Sequence, residues 1–294
     1  MRHGRWRFLL GALVPALVLH VVFVLSPYAQ AFYLSLTDWT GVAGQAHFVG
    51  AGNYARLGGD TLFLDAVRNN AVMLLVVPLA TIGLGLGLAA LMRNRRGAGG
   101  FQIVYFFPQL LSLVVIGVLW SFVYNPNTGL LNSGLRAAGL GGLARSWLAE
   151  PAFALPAVMA VLVWASVGFY VVLFAAAIEA IPVSLFEAAQ LDGAGDWTVF
   201  WRITVPLVRE SVQVAFVYLG IAALDGFAVV QVMTVGPGGP DGATEVIGLS
   251  LYRNAFTYGK FGYASAMGVA LFFATLTLAV LALRAGRKER LELA

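Results

Sequence analysis

Six stretches of this chain stay apolar for about 20 residues each, and no other feature restricts the fold as much. They cover residues 8–27, 71–92, 103–124, 151–178, 212–233 and 263–283. A helix rises about 1.5 Å per residue, so each run matches the roughly 30 Å of hydrocarbon in a bilayer. Hydrophobic residues make up 60% of the 294 and charged residues only 11%, with a mean hydropathy of +0.84. That leaves too little polar surface for a soluble domain. Lipid offers the backbone no hydrogen bonds, so each run must satisfy its own N–H and C=O groups, as a helix does. The expected fold is therefore an all-α integral membrane protein with six transmembrane helices, the whole of 1–294 forming one domain.

The net charge of +4 does not point to nucleic acid, because the basic residues gather at the ends of apolar runs rather than along a stripe. There is no cysteine, and His3, His20 and His47 stand alone, so no disulfide or metal site is expected. The first run follows Arg2, Arg5 and Arg7. Ala29-Gln30-Ala31 imitates a signal cleavage site, but an apolar core of about 20 residues exceeds the 7–15 of a secretory signal and reads as a retained span. Gly83, Gly85 and Gly87 in the second run suit close helix packing in lipid. Pro108 lies near the start of the third, with Trp120 and Tyr124 near its end, where aromatic residues favour the interface.

Counting Lys and Arg on alternate sides gives 12 on the side of both termini and 6 on the other. Positive loops stay inside, so both termini and the 179–211 loop are expected in the cytoplasm.

That loop is a polar, amphipathic island. Pro182 suits a first helical turn, residues 183–192 are good helix formers, and Gly193 stops them. Asp196 reads as the N-cap of a second short helix presenting Trp197, Phe200 and Trp201, with Thr204 and Pro206 opening the next run. An apolar face outside the bilayer calls for a partner. The rival reading, a loop resting on the membrane surface, lacks the Lys/Arg-rich face expected of such a helix.

Glu187-Ala188-Ala189, then Gly193, Ile203 and Pro206, resemble the EAA loop of the membrane subunits of ABC importers. The resemblance extends over nearly the whole chain and is closest to permeases of the maltose and glycerol-3-phosphate type. It runs through Tyr33-Leu34-Ser35-Leu36-Thr37-Asp38-Trp39, Phe48-Val49-Gly50-Ala51-Gly52-Asn53-Tyr54, Tyr124-Asn125-Pro126-Asn127-Thr128-Gly129-Leu130-Leu131-Asn132 and Gly262-Tyr263-Ala264-Ser265-Ala266. Val205 replaces the usual leucine before the proline, and residues 234–240 rearrange the family's glycine-rich stretch.

The resemblance implies the type I importer permease fold in a bacterial inner membrane. It also implies an ATPase-coupling role for Glu187, Ala188, Ala189, Asp192, Gly193 and Pro206. The implied partners are a second homologous permease, an ABC ATPase dimer and an extracytoplasmic solute-binding protein, around a sugar or sugar-like solute. No cofactor is expected on this chain, since ATP and magnesium belong to the partner ATPase. Its lysines, Lys260 and Lys288, follow no Gly-x-x-x-x-Gly phosphate loop, so no enzyme activity is expected.

Asp225 is a carboxylate deep in an apolar run, a costly placement that makes function the default reading. Gly226 and Gln231 lie beside it, and Trp164, Ser166, Phe169 and Tyr170 on the fourth run offer rings and a hydroxyl suited to a carbohydrate path. Set against this are packing or interface roles for the aromatics and a helix-to-helix hydrogen bond for Asp225. The alternative function is an ion-gradient-driven transporter or channel, which calls for paired intramembrane carboxylates or broken helices.

Overall fold

A computed structural model describes residues 11, 13–41, 45–93, 98–234 and 238–290. Arg2, Arg5, Arg7, Arg95, Arg96 and the start of the first apolar run therefore lie outside the described residues. Among the described residues the regular structure is all helical, apart from a single isolated bridge between Thr37 and Phe48. Four helices are long and apolar enough to cross a membrane, Leu13–Leu34, Thr61–Met92, Pro151–Glu179 and Phe261–Leu281, and two bent pairs raise the number to as many as six.

The chain forms two compact units. The first comprises residues up to Leu64 together with Ser250–Phe273. Its opening span passes through a π-turn at Val21–Leu25 into α1, Ser26–Leu34. The Ser26 N–H reaches back to the Val21 carbonyl, a widened turn that makes room for the Pro27 ring. Rings of Tyr28 and Phe32 lie 5.5 and 5.7 Å from that of Phe272.

The segment that reads as a polar connection holds α2, Gly52–Gly59, whose Asn53 donates to the Ser35 and Thr37 carbonyls at 2.8 Å. Asp60 accepts the Phe63 N–H at 3.2 Å and the Tyr263 hydroxyl at 2.6 Å. It thereby starts α3, Thr61–Met92, ten residues ahead of the apolar run.

The second unit comprises Asp65–Leu249 and the chain from Ala274. The third apolar run is not one helix. It divides into α4, Ala98–Phe106, and α5, Leu113–Val123, the second part turning 107° from the first. Pro108 tightens the turn, Leu111 is extended (ψ 145°), and the Ser112 side chain accepts the Val114 N–H to nucleate a new helix. Helix α6, Leu130–Ala137, follows, and the loop after it is organised by buried Asn132. That side chain donates to the Pro126 and Arg145 carbonyls (3.0 and 2.9 Å) and accepts the Trp147 indole N–H at 2.8 Å.

Helix α7, Pro151–Glu179, is the central element and half of its most apolar window is buried. The short α8, Val183–Leu191, and the segment Asp196–Leu207 lead to α10, Arg209–Leu224, α9 being the Asp196–Val199 turn. Of the three glycines read as packing sites, Gly85 fits that role, since an added Cβ would meet Tyr170 at 3.2 Å; Gly83 and Gly87 face open space.

The fifth run also breaks. Helix α10 stops at Leu224 and α11, Phe227–Met233, resumes after Asp225 and Gly226. Carbonyls freed in this way need partners where water is scarce. Asn70 on α3 supplies one: its amide donates to the Leu224 carbonyl at 3.1 Å, and its oxygen accepts the Ile247 N–H at 2.8 Å, opening α12, Ile247–Tyr252. Asn69 donates to the Glu245 carbonyl at 2.9 Å. Replacing Asn70 by alanine strands a buried acceptor and a buried donor, so the detergent-solubilised protein is expected to lose about 1–3 kcal/mol in a thermal unfolding scan. The chain closes with α13, Phe261–Arg290.

Candidate functional site

Residues 179–211 build one candidate surface. Pro182 precedes α8 with ψ 128°, outside the helix it introduces, so it stands one position earlier than the sequence suggests. Phe186 and Ala189, three apart and on one face, are buried. Phe186 packs with Ile82, Leu86 and Ala89 of α3, Phe174 and Ile178 of α7, and Val208 and Ala215. The Arg93 guanidinium lies 3.2 Å from the centre of the Phe186 ring, and its partial burial pulls its pKa down. The opposite face turns out Glu187, Ala188, Gln190 and Leu191, the last 90% exposed, and Asp192 follows them exposed.

Gly193 ends the helix with φ +76°, a conformation that costs L side chains about 1–2 kcal/mol. Its N–H bonds to the Gln190 carbonyl at 3.0 Å, and that of Ala194 to the Ala189 carbonyl at 2.9 Å, so the loose carbonyls at the end of α8 are closed. Gly195, not Asp196, is the N-cap that follows; Asp196 is already the first helical residue, where its charge suits the helix dipole. Trp197, Phe200 and Trp201 form a ring cluster with centroid separations of 5.1 to 6.3 Å. Phe200–Thr204 is a π-turn, Thr204 is buried and Pro206 exposed. A cavity of about 450 Å³ lies beneath, lined by Arg93, Gln190, Asp196, Trp197 and Phe200 among others.

The break in α10–α11 builds the second candidate site. Asp225 caps α10, its N–H bonded to the Ile221 carbonyl at 3.2 Å. Asp225, Gly226 and Ser166 line one cavity of about 60 Å³, walled by Val77, Leu113, Leu162, Leu219 and Val229. The Ser166 hydroxyl donates to the Leu162 carbonyl at 2.8 Å, leaving its oxygen as an acceptor. A space this small admits water and no sugar ring.

The other residues singled out in the sequence lie elsewhere. Trp164 meets Trp120 edge-on at 5.3 Å, in a row that continues through Tyr124 to Trp147. Phe169 contacts Phe106 and Tyr170, Tyr170 is buried against Gly85, and Gln231 is exposed. Sequence reasoning passed over Asn69 and Asn70. Two adjacent amides entering an apolar run were the available signal, hidden because the helix start was placed after them.

Residues 81–288, which contain both sites, match the family of binding-protein-dependent transport system inner membrane components. The chain belongs to this family. The permease is 45% identical over 288 residues to the diacetylchitobiose uptake system permease protein NgcF of Streptomyces coelicolor, covering 94% of this chain and 81% of that one. It is 32% identical to the multiple sugar-binding transport system permease protein MsmF of Streptococcus mutans, covering 98% and 96%. Among solved structures, a bacterial ABC transporter that imports alginate superposes with a TM-score of 0.83 at 22% identity, covering 97% of this chain and 96% of that one. The permease is thus a transport subunit of the inner membrane with the fold of ABC importers.

Proposed function

We propose that the permease is one half of a sugar-conducting ABC importer, alternating between outward and inward access while a separate ATPase supplies the energy. The observation that carries this reading is the geometry of α8. Phe186 and Ala189 are buried, Phe186 in a cluster with the ends of α3 and α7, and Glu187, Ala188, Leu191 and Asp192 are exposed. A helix held in this way fits a groove on a soluble partner, and a pull on it reaches the spans through the buried pair.

Support for a sugar comes from relatives named for diacetylchitobiose, multiple sugars and, in Rhizobium radiobacter, lactose. A similar transporter was solved with an alginate pentasaccharide-bound periplasmic protein, which supports an external solute-binding protein as partner. In this reading there are six spans. The third is the bent pair of α4 and α5, the fifth runs from Arg209 to Met233, and both termini face the cytoplasm. ATP and magnesium bind the partner dimer, a second permease completes the pathway, and lipid surrounds it.

Asp225, Gly226 and Ser166, which share one cavity, belong in this reading to the substrate path together with Trp164, Phe169, Tyr170 and Gln231. The broken helix at Asp225 is a feature shared with ion-driven transporters, but it brings one carboxylate and no partner acid to the cavity. Affinity purification of the tagged chain in mild detergent is expected to recover a nucleotide-binding ATPase and a second permease; their absence defeats the assignment. Replacing Asp225 by asparagine keeps the shape and removes the charge. Uptake of labelled oligosaccharide by the reconstituted transporter is expected to fall at least tenfold, about 1.4 kcal/mol in barrier terms, and full activity would reduce Asp225 to a helix cap.

A further inference from the structure

Within the 179–211 segment, residues 183–196 and 197–209 are opposite in charge, and Glu210 follows the second stretch. From Val183 to Asp196 the charged residues are Glu187, Asp192 and Asp196, with no Lys or Arg. From Trp197 to Arg209 they are Arg202 and Arg209, with no acid. The second half also exposes large apolar side chains: Trp197 is 74% exposed, Trp201 52% and Leu207 53%. Trp197 and Trp201 are one turn apart in edge contact at 5.7 Å, while Phe200 packs inward on the hydrophobic cluster that also holds Phe186.

Orientation says what covers them. The segment Asp196–Leu207 joins α10 through the single residue Val208 and departs from its axis by 71°. With α10 crossing the bilayer at the usual tilt of about 20°, the segment lies within about 40° of the membrane plane, at the level where the span ends. Tryptophan is the side chain most at home there, with an apolar ring and one N–H for the wet side. Arg202, exposed beside Trp201, suits lipid phosphates, whereas Glu187 and Asp192 of the first half are repelled by anionic headgroups.

We propose that Trp197, Trp201, Arg202 and Leu207 form an interfacial anchor whose partner is the phospholipid surface, leaving α8 alone to the ATPase. The segment then works as a fulcrum. With Trp197 and Trp201 held at the headgroups, displacement of α8 turns α10 about Val208 instead of dragging the loop through the bilayer. The inference rests on the proposed ATPase docking of α8 for its sidedness, and one experiment separates the two.

The chain contains no cysteine, so a nitroxide on Trp201→Cys or on Leu191→Cys reports a unique position. The labelled full-length permease is assembled with its partners in vesicles of phosphatidylcholine and phosphatidylglycerol, and collision rates with oxygen and with a water-soluble nickel chelate are compared. At position 201 oxygen is expected to dominate, at a depth of about 5–10 Å below the phosphates, with or without the ATPase. At position 191 the chelate is expected to dominate until the ATPase is added. Chelate-dominated collisions at 201, or shielding there from both relaxants only once the ATPase binds, would overturn the anchor. Oxygen dominance at 201 with no shielding at 191 would uphold the anchor and remove the docking assignment. Trp197→Cys repeats the measurement should the first variant fail to insert.

Discussion

Valine at position 168 is expected to eliminate folded permease from the membrane. Gly168 is buried on α7 where α4 crosses it, and an added Cβ would fall on the carbonyl oxygen of Tyr105 and within 2.8 Å of the Phe106 nitrogen. A flexible side chain in such a position would move aside, but a backbone carbonyl in a helix cannot do so without pulling its own helix away. Overpacking a core costs about 1–3 kcal/mol where side chains give, and the cost here exceeds that range because none is available to give. Against a total stability of about 5–15 kcal/mol, this is enough to depopulate the native state. The measurement is the monodisperse yield from detergent extraction and the midpoint of a thermal scan. Gly83→Ala is the matched control: its Cβ meets nothing within 4 Å, so yield and midpoint are expected to stay at wild-type values. Equal behaviour of the two variants would refute the close approach of α4 and α7.

Charge reversal at Glu187 is expected to abolish transport while leaving the fold intact. Glu187 is exposed on α8 and makes no contribution to the cluster beneath, which Phe186 joins. Its loss is therefore silent in the isolated subunit. At a docked interface the same change removes a charge pair and sets like charges together, an effect of several kcal/mol. Loss of 2.8 kcal/mol is already about a hundredfold in affinity. Glu187→Arg is thus expected to melt with wild-type permease, to lose the ATPase on copurification and to show background uptake. Gly193→Trp adds a graded check, because its φ of +76° strains any L residue while the space around it is open. The expected result is a frayed α8 end and partial loss of the ATPase. Normal recovery of the ATPase with Glu187→Arg would show that the motor grips another surface.

Much of the architecture was legible because hydropathy is additive along a chain. Counting apolar residues located α3, α7 and α13. The end of α8 was legible for a different reason, since a glycine stop is decided by four or five consecutive residues. What escaped was the location of breaks inside apolar runs. Pro108 and Gly226 stand at the two breaks, but Pro78 and Pro156 stand inside unbroken helices, so such residues do not by themselves distinguish a bend, and Asp225 reads as an intramembrane charge before it reads as a cap. Of the residues proposed for the substrate path, Asp225, Gly226 and Ser166 share a cavity that Trp164 and Phe169 do not line, because the direction each helix faces is not written in its composition.

Sequence alone determined the solvent. A chain this apolar, with runs of this length, must satisfy its backbone internally in lipid, and helices are the local means of doing so. Tertiary structure decided where the helices could break, because a freed carbonyl at depth survives only beside a donor from another element. Asn70 provides one at Leu224, 154 positions away along the chain, and no local pattern encodes such a distance.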